Sequence, residues 1–114
     1  WNKDKIGDDR TIKQSKFILD KIRNDIPVIV VGDFNLLPNT ESIKLLNNEL
    51  VNLIDKYNIK STRPNFDYGL DKGNMVCDYI FVNDKIKVND FKVIESNISD
   101  HLPLTLDFDI KEEE

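Results

Sequence analysis

The feature that most constrains this chain is Val28-Ile29-Val30-Val31, an unbroken apolar run held between Pro27 and Gly32. Its shortness and β-branched residues predict a strand, and the lack of polar alternation predicts one covered on both faces. Gly32, without a Cβ, lets the backbone turn or approach a ligand closely just past the run. Asp33 and Asn35 follow two residues apart, so on a chain still extended they point the same way. A carboxylate and a carboxamide leaving a buried strand together stand where open sheets place their chemistry. The same residue types are ordinary turn and cap residues, so the segment alone leaves both readings open.

Two later segments carry chemistry of the same kind. Val76 to Val82 predicts a second strand, with Asp78 the one carboxylate in an apolar set. Val76, Ile80 and Val82 share its face by period two, so that face is expected to be buried and the carboxylate to need a partner. Ser99-Asp100-His101 precedes Leu102-Pro103-Leu104, and His101 is the only histidine. Read alone, Asp100 and His101 are also compatible with a loop capped by Ser99.

The order Gly32-Asp33-Phe34-Asn35, then Asp78-Tyr79-Ile80-Phe81, then Ser99-Asp100-His101-Leu102-Pro103 resembles the C-terminal half of the endonuclease/exonuclease/phosphatase (DNase I-like) superfamily. That group includes deoxyribonucleases, apurinic endonucleases, sphingomyelinases and inositol polyphosphate 5-phosphatases. Arg10 and Gln14 resemble its Arg-x-x-x-Gln helix signature. The resemblance implies an α/β fold of the α+β type, half of a four-layer α/β/β/α sandwich with a mixed, largely antiparallel sheet. Residues 1–110 would be the C-terminal half of that domain, its N-terminal half missing, and 111–114 a charged tail. The missing half would hold a metal-binding glutamate, an asparagine and a second histidine. Alone, the fragment is expected to be inactive.

The resemblance also implies roles. Asp33 would orient or deprotonate the attacking water, and Asn35 would help position Asp33 and the phosphate. Asp78 would hydrogen-bond His101 and fix its tautomer, His101 would contact the phosphate, and Asp100 would be a metal ligand. The implied cofactor is Mg²⁺ or Mn²⁺. The implied function is divalent-metal-dependent hydrolysis of a phosphodiester or phosphomonoester, with a lean toward a nucleic acid nuclease. A phosphoinositide- or sphingomyelin-type phosphoesterase is the alternative within the class, and a non-catalytic binding or scaffold module the alternative outside it. Partners would be the phosphoester substrate (nucleic acid, phospholipid or inositol phosphate) and the missing half of the domain.

Around these motifs the pattern is simple. Asp8 or Asp9 predicts the cap of a helix running to about Asn24, with Ile12, Ile18, Leu19 and Ile22 on one sector and Phe17 outside it. Asn39 or Thr40 predicts the cap of a helix from Glu41 to Asn48, and Leu50 to Ile54 is compatible with a strand or a helical turn. Ile59 to Gly73 is a long polar loop with Thr62, Arg63, Pro64, Asp67, Tyr68 and Gly69. Arg63 is a candidate phosphate contact, because guanidinium binds phosphate bidentately, or else a solvated loop residue. Val88 to Glu95 predicts a further strand. From Pro103 to Ile110, Leu104, Leu106, Phe108 and Ile110 alternate with polar residues, which predicts an antiparallel strand with one wet face.

Composition narrows the classes. The chain has 114 residues, 39% hydrophobic and 32% charged, with a net charge of −5. That balance argues against gripping nucleic acid by bulk electrostatics, though not against a site where bound cations supply the positive charge. A single cysteine, Cys77, is expected in the core. No apolar stretch approaches the ~20 residues of a transmembrane segment. The chain opens at Trp1 without a methionine, so localisation stays open, with a lean to the cytoplasm.

Overall fold

A computed structural model describes residues 8–63, 76–96 and 98–112. The expected irregular start at Trp1–Gly7, the loop residues Pro64, Asp67, Tyr68 and Gly69, and the last two residues of the tail lie outside the described residues. The elements are α1 (Asp9–Lys21), β1 (Ile29–Asp33), α2 (Glu41–Glu49), β2 (Val51–Asn52), α3 (Leu53–Lys56), β3 (Asp78–Val82), β4 (Ile86–Val93) and β5 (Leu104–Ile110). Helices beside antiparallel sheets make the chain α+β. Every ladder among the described residues is antiparallel, so the parallel component of the expected mixed sheet is not found there.

Local chemistry sets the helix boundaries. Asp8 caps α1 by accepting from the Thr11 N–H, while the Thr11 hydroxyl accepts from the Asp8 N–H, a reciprocal box that satisfies donors the first turn leaves free. The helix stops at Lys21, short of the expected Asn24. Thr40 caps α2, and the Ser42 hydroxyl donates to Thr11 across 2.9 Å, joining the starts of the two helices. Both readings of Leu50–Ile54 are realised in succession. Val51–Asn52 pairs with β3, and Asn52 then caps the single turn of α3 through its side chain.

β3 is the middle strand of a three-stranded sheet ordered β1-β3-β2, and it is buried along its whole length. One face carries Tyr79 and Phe81, which pack with Ile43, Leu46, Leu53 and the edge of Phe34, while Ile18, Leu19 and Ile22 of α1 close the layer. The other face carries Asp78 and Ile80. It borders a cleft of ≈ 480 Å³ whose far wall is Leu104, Leu106 and Phe108 of the β4–β5 ribbon. The side chain of Asn83 ties the start of β1 to the end of β3, accepting from Val28 N–H and donating to the Ile26 carbonyl.

Two expectations about coverage are corrected. β1 is not covered on both faces: it is the edge of its sheet, and Val31 is 63% exposed at the open side of the cleft. The apolar face of β5 is only partly covered: Leu104 and Leu106 are half-buried, whereas Phe108 and Ile110 are 39% and 59% exposed. Phe17 is exposed, as its position off the helix's apolar sector implies, and Cys77 is buried. No helix among the described residues is long and apolar enough to cross a membrane.

Candidate active site

The β1–β3 register lays out the site. It pairs Val31 with Ile80 and, two steps on, Asp33 with Asp78. Directly opposed residues on antiparallel strands share a face, so two carboxylates stand side by side, and Asp78 lines the cleft. Asp33 is exposed, whereas Asp78 is 8% exposed.

Past Asp33 the chain stops being extended. Phe34 N–H still donates to the Cys77 carbonyl at 2.9 Å, but Asn35 takes a φ of 52° and its N–H donates to Asp33 Oδ1 at 2.9 Å. Asn tolerates this left-handed conformation better than other residues with a Cβ. The turn therefore comes at Asn35 and not at Gly32, where an added Cβ would make only ordinary contact with Phe34. This also corrects the expectation that Asp33 and Asn35 point the same way by strand alternation. The group of Asn35 seen to hold Asp33 is its backbone N–H. The Tyr79 hydroxyl donates to the Leu36 carbonyl at 2.6 Å and pins the elbow from below. Burial pushes that hydroxyl's pKa far above its ordinary value, with Cys77 and Asp78 adding to the effect, so it stays a neutral donor.

His101 enters from the loop before β5. Its backbone N–H donates to Ser99 Oγ, and its Nδ1 lies 3.0 Å from Asp78 Oδ1. With Asp78 ionised, that contact fixes the tautomer carrying the proton on Nδ1. Nε2 then faces Asp33 Oδ2 at 3.7 Å and Asp100 Oδ1 at 3.9 Å. Arg63 completes the group. Its side chain is 12% exposed and faces Asp33, Asp78 and Asp100, so it is no solvated loop residue.

Thr62 was not singled out by any local signal, since a threonine in a polar loop is unremarkable in sequence. It is fully buried, and its Oγ1 accepts from the N–H groups of Cys77 and Asp78 at 3.1 and 3.3 Å. Its carbonyl accepts from Leu102 N–H at 2.8 Å. One residue thereby fastens the Arg63 loop to both Asp78 and the neighbour of His101.

Ligand atoms of Asp33, Asp78 and His101 lie within 4.8 Å of one another, and Oδ2 of Asp78 is buried without a hydrogen-bond partner among the described residues. Carboxylate oxygens suit a hard divalent cation, so the donor set fits Mg²⁺ or Mn²⁺. Asp100, expected as the metal ligand, is outside that trio, with Oδ1 3.9 Å from His101 Nε2 and Oδ2 3.9 Å from Arg63 Nη1. The family model described as Endonuclease/Exonuclease/phosphatase family matches residues 2–101. No curated protein and no solved structure matched the chain.

Proposed function

Since this chain belongs to the endonuclease/exonuclease/phosphatase family, whose members are in general metal-dependent phosphoesterases, we propose that it carries the C-terminal half-site of such an enzyme. The supporting observation is convergence: Asp33, Arg63, Asp78, Asp100 and His101 come from four separate stretches of sequence and meet in one cluster of charged side chains.

Hydrolysis needs a positioned water, charge relief on the phosphoryl oxygens and stabilisation of the leaving oxygen. A Mg²⁺ or Mn²⁺ held by Asp100 and its neighbouring carboxylates would supply the charge relief. Asp33, exposed and oriented by the Asn35 N–H, takes the water's proton. Asp78 holds the imidazole so that Nε2 of His101 faces the phosphate, and Arg63 faces the same space with its guanidinium. Asn35 assists through the elbow it forms. The substrate is a phosphoester, with nucleic acid favoured on the family's range and opposed by the chain's acidic balance.

The test is turnover of bis-p-nitrophenyl phosphate, plasmid DNA and an inositol phosphate, with Mg²⁺ or Mn²⁺ and with EDTA, using the protein with its own upstream sequence. Activity abolished by EDTA is expected, and Asp33→Ala is expected to lower kcat by about 10²–10⁴. Undiminished turnover in chelator would overturn the metal-dependent reading. Binding of nucleic acid or inositol phosphate without hydrolysis would favour a binding module instead.

A further inference from the structure

The nitrogens of the Arg63 guanidinium each face a different carboxylate. Nη2 is 3.7 Å from Asp33 Oδ2, Nε 3.9 Å from Asp78 Oδ2 and Nη1 3.9 Å from Asp100 Oδ2. All are ion-pair distances beyond hydrogen-bond reach. Arg63 Nε and Asp78 Oδ2 are both buried, and neither has a hydrogen-bond partner among the described residues. A buried guanidinium normally spends its fixed fork of donors on close contacts. One standing back from three acids contributes charge instead. That charge has a purpose in the register, because Asp33 and Asp78 are directly opposed and like charges so placed repel. The backbone keeps the side chain on station: Ser61 Oγ donates to the Arg63 carbonyl at 2.7 Å and accepts from its N–H at 3.1 Å.

We infer that Arg63 is a positioning residue, the resident cation of this cluster, which holds Asp33, Asp78 and Asp100 together without metal and competes with a divalent cation for them. The inference rests on the proposed reading that the cluster binds such a cation. A fixed positive charge among the ligands repels an incoming ion, so the site grips metal less tightly than its carboxylates alone would. A phosphate that engages the guanidinium would draw this charge toward itself and free carboxylate oxygens for the ion.

The experiment measures Mn²⁺ binding by titration calorimetry and by the electron-spin signal of the free ion, in the unaltered protein, Arg63→Gln and Arg63→Lys. Arg63→Gln is expected to bind Mn²⁺ at least about tenfold more tightly, and Arg63→Lys to stay near the unaltered value. In EDTA, Arg63→Gln should melt below the unaltered protein, and Mn²⁺ should raise its Tm by the larger amount. If Arg63→Gln does not fold without metal, folding on addition of Mn²⁺ supports the inference and failure to fold in saturating Mn²⁺ overturns it. Equal or weaker Mn²⁺ affinity in Arg63→Gln overturns it, as does absence of Mn²⁺ binding in every form. Mn²⁺ binding without phosphoester hydrolysis counts against the proposed function alone, since the affinity comparison still decides the role of Arg63.

Discussion

The two faces of β3 do opposite work. On one, Tyr79 and Phe81 stack with ring centroids 5.7 Å apart and meet Phe34 edge-on, under a lid of helices. On the other, Asp78 looks into a cleft flanked by Val31 and Phe108, both exposed. A strand cannot move one face without moving the other. The dry side therefore acts as the rigid backing of the polar side, and the contrast between closed and open is what lets five residues hold a demanding geometry.

That contrast can be broken most strongly from the dry side. Phe81→Ala, at a fully buried ring, is expected to cost about 3–5 kcal/mol in a urea melt, because it removes apolar burial and leaves a cavity. A loss below about 1 kcal/mol would mean that the aromatic layer is not the backing described. Next comes the join between the faces. Thr62→Val strips the acceptor from two buried N–H groups and should cost about 1–3 kcal/mol, while Thr62→Ser, which keeps the hydroxyl, should recover most of it. If serine were no better than valine, packing of the methyl group would be the dominant role.

Two smaller effects sharpen the comparison. Val31→Ala on the open side should change stability by no more than about 0.5 kcal/mol. A hydrophobic dye should bind the unaltered protein and bind less after Phe108→Ser, whereas unchanged dye binding would place the open apolar surface elsewhere. Last is the surface pair Arg23–Asp25, joined by hydrogen bonds of 2.9 and 2.6 Å. The Arg23 hydrogen bond lowers the Asp25 pKa, so the pair's contribution is present above the ordinary carboxylate value and is lost as pH falls through the lowered one. Both groups are fully exposed, so solvent screens the effect and the readout is the titration itself. Arg23→Gln should move the Asp25 carboxyl midpoint back upward, and an unmoved midpoint would show the bridge to be absent in solution.

Much of the molecule was legible from local pattern. Asp8 and Thr40 act as caps because a side-chain oxygen beside the first turn satisfies donors there whatever else the chain does. The Asp78 carboxylate announced a partner because its neighbours by period two are apolar, and His101 stands at that place. The failures had two origins, one long-range and one local to the elbow. That Val31 lies open depends on β1 being an edge strand, which no window around residue 31 encodes. Asn35 left the strand direction because Asp33 captured its N–H, a competition between side chain and ladder that alternation ignores. Thr62 and Arg63 acquire their meaning only from partners at least 15 residues away along the chain.

The Asn83 side chain, which bonds both ends of the Ile26–Val28 entry to β1, does more than close a turn. A slip of one position along the β1–β3 ladder would swap every side chain to the opposite face. Here such a slip would drive Asp78 under the helices and turn Tyr79 and Phe81 outward. Asn83 works as a vernier stop at the far end of the ladder, setting the count that brings Asp33 level with Asp78 about five residues later. The alignment of the acids is thus metered from outside the cleft, by an amide that never touches it.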